Sequence, residues 1–291
     1  MRRFCRPTTA SETFVIGKCV LLVVLLMLTA APGHFAQGAE SDNAFGNLWP
    51  LWAEANPDSQ QRLDHQPWQQ FLDRYVTTGR DGINRVDYLK VAEADKQRLQ
   101  RYLDYLASQR PTQFNKAEQL AYWINLYNAQ TVRVVLDYPD KKSIRSMRPN
   151  FFRIGPWDKT YLTIDKQPVS LNDIEHRILR PIWRDHRLHF VLNCASIGCP
   201  NLSRNAFTDN NVLPQMALAE TNYLSHPRGL SVTASGTLRL SSLFDWYRDD
   251  FAADRSALID YLAARRPDVA RQITAPDIDI EYSYDWNLNA P

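Results

Sequence analysis

Cys194 and Cys199 enclose the tetrapeptide Ala195-Ser196-Ile197-Gly198, and His189 lies five residues before the first of them. A thiolate attacks a carbonyl effectively when a base takes the thiol proton and a third group orients that base. For Cys194 the candidate bases are His189 and His176, and the candidate orienting carboxylates are Glu175 and Glu118. A spacing of five puts His189 and Cys194 on opposite faces of an ideal strand, so they meet only if the chain bends at Asn193. Asn125 and Asn128 are candidate donors to a developing oxyanion, and with Tyr127 and Ser196 they are the candidate substrate contacts. The same residues have a structural reading. The two sulfurs can close the loop as a disulfide, the amides can pin a neighbouring segment, and Glu118 can cap a helix. His186, His189, Cys194 and Cys199 offer ligand atoms, but their spacing matches neither paired two-residue-gapped cysteines nor His-Glu-x-x-His, so no metal is expected. There is no Gly-x-Ser-x-Gly elbow, phosphate-binding glycine loop or dinucleotide fingerprint, and no cofactor is expected.

These groups need a scaffold, and the apolar pattern supplies one. Residues 116–136 form the most apolar long segment after the leader, opened by Asn115 with Glu118 three residues on and closed by Pro139. Apolar residues almost all round predict a buried central helix with Trp123 and Ile124 inside. Helices are also expected at 67–76, 91–108, 214–225, 244–251 and 255–265. Short strands are expected near 83–88, 161–164, 169–171 and 278–284, and a hairpin turns at Ser235-Gly236. Ser170 and Asp173 cap a short helix carrying Glu175 and His176, which Pro181 should stop. His189-Phe190-Val191-Leu192-Asn193 reads as a compact strand. Helices and strands mix without βαβ alternation, which predicts an α+β fold: an antiparallel or mixed sheet packed on the central helix, with further helices on the surface.

The amino terminus reads as an export signal. Arg2, Arg3, Arg6 and Lys18 precede an uncharged apolar run of 13 residues, Cys19 to Ala31. That is too short to span a bilayer core, which needs about 20 residues, and suits a signal peptide. Ala36-Gln37-Gly38 offers a cleavage site. Arg2-Arg3 raises the twin-arginine route and the ordinary secretory route is favoured; a retained anchor is the competing reading. The organisation expected is a signal peptide over 1–38, a lead-in segment over 39–66 and one globular domain over 67–291, in a periplasmic protein with no stable membrane span after cleavage. Without residues 1–38 the net charge changes from +2 to −1, and only Cys194 and Cys199 remain. No Lys/Arg-dense stripe is left to neutralise phosphates, so nucleic acid is not an expected partner.

Several segments together resemble the domain-of-unknown-function family 547. They are Leu120–Ala129, Ser170–Arg180, His189–Ser196, Gly198-Cys199-Pro200, Phe244–Tyr247 with Asp250-Phe251, and Tyr284–Asn289. The resemblance spans roughly residues 70–289. It implies a distant relation to papain-like and transglutaminase-like cysteine hydrolases, whose nucleophile opens a buried central helix. This chain departs there, because its central helix opens with Lys116, Ala117 and Glu118. Two functions are therefore expected to compete. One is a cysteine-dependent hydrolase or acyl transferase acting on amide bonds in a peptide, glycan or envelope-protein substrate. The other is a non-catalytic envelope module that binds peptide or glycan and carries a structural disulfide.

Overall fold

A helix that is apolar all round has to be buried all round, and α3 (Lys116–Leu136) is. Asn115 caps it, its side chain accepting the Glu118 N–H at 3.0 Å. Trp123 and Ile124 are fully buried, as the pattern predicts. The computed structural model describes residues 46–148 and 155–291. The leader at 1–38 and the first residues of the lead-in lie outside the described residues.

Around α3 lie α1 (Gln66–Tyr75), the antiparallel pair β1 (Val76–Thr78) and β2 (Asn84–Val86), and α2 (Glu93–Ala107). Tyr102, Leu103 and Leu106 of α2 are buried within the core that α3 shares. The lead-in segment is part of that core. Trp52 is fully buried, its ring edge-on to Trp123 with centroids 5.3 Å apart. A second antiparallel pair, β3 (Thr160–Ile164) and β4 (Gln167–Ser170), leads into a wide-turned helical segment, Asp173–Leu179, continued by α4 (Arg180–Trp183). Then follow α5 (Val212–Ser225), β5 (Leu230–Val232) and β6 (Leu238–Ser241), α6 (Leu243–Trp246), α7 (Arg248–Phe251), α8 (Arg255–Arg265), α9 (Ala270–Ile273) and β7 (Ile280–Ser283). β6 pairs antiparallel with β5 and parallel with β7, making a mixed three-stranded sheet. Helices and small antiparallel or mixed sheets together make the fold α+β.

Three local expectations are corrected. The segment expected as a strand at 189–193 is a 3₁₀ turn over His186–Phe190 followed by irregular chain. Asp185 caps that turn by accepting the Arg187 N–H at 2.9 Å. Beyond the turn, the Val191 carbonyl and the Asn193 N–H bond to the Asn128 side chain, so no strand ladder takes them. Pro181 does not stop its helix. The Arg180 N–H reaches back to the Glu175 carbonyl, a five-residue turn, and this wider geometry carries the chain through the proline. The helix ends at Arg184, whose φ of 49° is left-handed. The helix expected over 244–251 breaks into α6 and α7 at Tyr247 (φ −119°, ψ 30°).

Among the described residues no helix is long and apolar enough to cross a membrane. The packing of Trp52 on Trp123 carries a test. Trp123→Ala should lower unfolding free energy by about 3–5 kcal/mol, the usual cost of a buried Trp truncation. A denaturant midpoint equal to the wild type's would place Trp123 outside the core.

Candidate functional site

The site is assembled by segments far apart in sequence. Tyr127 comes from α3, Glu175 and His176 from the wide-turned segment after β4, and His189 from the 3₁₀ turn. Cys194, Cys199 and Pro200 come from the following loop, Trp246 and Tyr247 from the break between α6 and α7, and Tyr284 and Trp286 from beyond β7. Together with Trp157, Asn172, Leu192 and Leu243 they line a cavity of about 270 Å³. Ser170 and Asp173 lock the start of the segment that delivers Glu175. The Asp173 carboxylate accepts from the Ser170 hydroxyl at 2.7 Å, and the Asp173 N–H donates back to that hydroxyl at 3.1 Å.

A buried ionic network forms the floor. Arg180 grips Asp250 with two N–H donors, at 2.6 and 2.9 Å, and donates to His176 Nδ1 at 3.1 Å. The His189 Nε2–H donates to the same Asp250 at 2.6 Å, and the imidazole lies on Tyr247 with ring centroids 4.1 Å apart. Burial pushes His189 below its ordinary value against the pull of Asp250. Burial alone would raise Asp250, but the bonds from His189 and Arg180 outweigh it and hold this carboxyl low. Glu175 is similar. Burial opposes its charge, yet the fields of His176 and His189, the Tyr127 hydroxyl and Arg180 bring it below the usual carboxylate range. The Tyr127 hydroxyl donates to Glu175 at 3.0 Å, and Tyr247 lines the same cavity. Arg180 balances Asp250, leaving Glu175 as an anionic acceptor at the cavity.

The walls are aromatic. Trp246, Tyr284 and Trp286 lie with centroids 4.7–5.5 Å apart, and Trp157 meets Trp286 at 6.1 Å. Trp246 is 46% exposed at the mouth.

Cys194 and Cys199 are joined as a disulfide. Around it, the Tyr284 hydroxyl lies 3.1 Å from each sulfur, Ser196 Oγ lies 3.2 Å from Cys194 Sγ, and the Cys194 N–H points at Cys199 Sγ at 2.9 Å. The loop is pinned by the carboxy-terminal segment. The Ile197 N–H donates to the Asn287 carbonyl and the Gly198 N–H to the Asp285 carbonyl, each at 2.8 Å. Gly198 is required there, because a Cβ would come within 2.8 Å of the Asp285 nitrogen.

Of the residues singled out from sequence, Glu175, His176, His189, Cys194 and Tyr127 meet at this cavity. Glu118, Asn125 and Asn128 do not line it. Glu118 accepts the Leu63 N–H at 2.7 Å. Asn125 bonds both the carbonyl and the N–H of Phe207, at 2.7 and 3.0 Å. Asn128 clamps Val191 and Asn193. Ser196 sits behind the disulfide, its hydroxyl on Tyr284 at 3.0 Å. In this oxidised state Cys194 has no thiol to ionise. Among the described residues there is no group of three or more His, Cys, Asp or Glu side chains placed to hold a metal ion.

Sequence reasoning missed Arg180, Asp250, Tyr247 and the tryptophan wall as site residues. The stretches Phe244–Tyr247 and Tyr284–Trp286 gather aromatic residues beside acids, a composition that marks the wall but not the Arg180–Asp250 pair.

Residues 111–224 match the model of a family described as protein of unknown function, DUF547. The match includes Tyr127, Glu175, His176, His189 and both cysteines, and ends before Trp246, Asp250 and Trp286. No curated protein and no solved structure matches the chain.

The shared carboxylate gives this geometry a sharp test. Asp250→Leu removes the buried carboxylate that Arg180 and His189 share, and should destabilise by about 3–5 kcal/mol. Replacing Arg180, His189 and Asp250 together by apolar residues should cost clearly less than that single change. Equal losses would mean that the network is not energetically coupled.

Proposed function

We propose that the chain is an exported, periplasmic binding module whose aromatic cavity takes a sugar unit of an envelope glycan. The observation that carries this reading is Glu175, an ionised and buried acceptor held by the Tyr127 hydroxyl on the floor of a cavity walled by Trp157, Trp246 and Trp286. A pyranose presents C–H faces to aromatic rings and hydroxyl donors at its edge, and both are answered here. A carboxylate-bearing group would meet repulsion from Glu175. The leader-like start at 1–38 supports export, and a disulfide is a bond that persists in oxidising compartments.

A second reading is favoured by one observation. Cys194 lines the same cavity as His176 and His189, so reduction would release a sulfur into a cavity that two imidazoles also line, with the Tyr284 and Ser196 hydroxyls available to it. On that reading the chain is a cysteine-dependent amide hydrolase or acyl transferase, silent while oxidised.

Tryptophan fluorescence titrations separate the two. Oxidised protein titrated with soluble envelope-glycan fragments should show a saturable change. Trp246→Ala should weaken binding by about tenfold, roughly 1.4 kcal/mol. Glu175→Gln, which removes the charge and keeps the shape, should weaken it further. Binding of short peptides but not sugars would overturn the glycan assignment. Turnover of an amide substrate only after reduction, lost in Cys194→Ser, would replace the module reading with the enzyme.

A further inference from the structure

A second cavity, of about 540 Å³, shares no lining residue with the aromatic one. Its wall has a different chemistry. Arg204 and Arg228 line it with the amides Asn201, Asn205, Gln215 and Asn222, and none of the described residues lining it is acidic. We infer that this cavity binds a small ligand bearing an oxyanion, of the size and hydroxyl content of a phosphorylated or carboxylated sugar.

Arg228 is the anchor. One Nη donates to the Ile197 carbonyl at 2.9 Å and the other to Asn201 Oδ1 at 2.6 Å, both neutral acceptors. Each Nη bears two N–H groups, so each keeps one further donor. Its Nε is buried with no hydrogen-bond partner among the described residues. No carboxylate of the described residues lies within ion-pair distance of Arg228 or Arg204. Asp81, the acid whose field Arg228 feels, is engaged by Arg85 at 2.6 Å. Burial accordingly lowers the Arg228 pKa. A half-buried guanidinium bonded only to neutral acceptors gains strongly from an oxyanion, because its charge is partly desolvated and has no ion-pair partner among the described residues. Arg204 is exposed at the rim, where it adds a second positive charge. His226 is already committed: Nε2 is bonded to the Asp81 carbonyl at 2.8 Å, and Nδ1 accepts the Arg228 N–H at 3.1 Å. Ser203, Gln215 and Asn201 are bonded within the wall, while the Asn205 and Asn222 amides have no side-chain partner among the described residues and suit the hydroxyls of a sugar, which distinguishes this cavity from a plain anion hole.

Calorimetric titration of the full chain with glucose 6-phosphate, glucuronate, inorganic phosphate and glucose tests the assignment. At least one of the two charged sugars should bind saturably, and which one does so identifies the oxyanion. Inorganic phosphate should compete with it, and glucose should not bind here. Arg204→Gln, on the surface and harmless to packing, should weaken binding about three- to tenfold. Arg228→Gln should weaken it about tenfold or more, as for loss of a hydrogen bond to a charged group. If Arg228→Gln does not fold, Arg228→Lys keeps the charge, loses the forked donors and should still bind more weakly than wild type. Absence of binding by both charged sugars would overturn the proposal, as would glucose displacing them or affinities of the Arg204 and Arg228 variants equal to the wild type's.

Discussion

The Asn128 side chain, fully inside helix α3, is the contact on which the arrangement of the site rests. Its amide NH₂ donates to the Val191 carbonyl and its oxygen accepts the Asn193 N–H, both at 2.8 Å. A buried primary amide is costly unless its donors and acceptor are matched, so α3 can bury this residue only by holding that segment in one register. Asn193 extends the clamp, taking the Pro200 carbonyl and the Ala195 N–H, with Asn289 beyond it. Ala195 adopts φ 60°, an uncommon conformation for a non-glycine residue, and this chain of amides holds it there. Asn125 repeats the device on Phe207 one helical turn away.

Once the loop is fixed, its chemistry follows. Cys194 and Cys199 are brought together, and the carboxy-terminal segment lies across the loop through Ile197 and Gly198. That segment delivers Tyr284 to the sulfurs and Trp286 to the cavity wall. On the far side the 3₁₀ turn sets His189 on Tyr247 and Asp250. The break between α6 and α7 is part of the same constraint, because Tyr247 leaves helical geometry at the residue whose ring covers His189. The result is an oxidised cavity with an anionic carboxylate on its floor and several indoles in its wall. The proposed binding of a neutral, hydroxyl-bearing ligand rests on this arrangement.

The sequence was most legible where one period dominates. The largely apolar run from Leu120 to Val135 announces a buried helix, and Asn115 marks its start. Ser170 and Asp173 mark the start of the segment that carries Glu175 and His176. Legibility failed where side chains take over backbone bonding. The apolar stretch Phe190-Val191-Leu192 has strand composition, but its carbonyl and N–H partners belong to Asn128, which lies more than sixty residues earlier. The polar residues of α3 were visible as anomalies, yet a primary amide that clamps a loop and one that faces a ligand look alike in sequence. Arg180 and Asp250 were hidden for another reason. Their pairing joins positions seventy apart, and neither has a distinctive local spacing.

The central claim is that the oxidised, Glu175-floored cavity is where ligand sits. A crystal structure of the oxidised protein in complex with an envelope-glycan fragment tests it most directly. The account predicts a sugar ring against Trp246 or Trp286, one of its hydroxyls within hydrogen-bond distance of the Glu175 carboxylate, and the Cys194–Cys199 bond intact. A ligand seated elsewhere on the chain, or one attached to Cys194 through an opened disulfide, would contradict it.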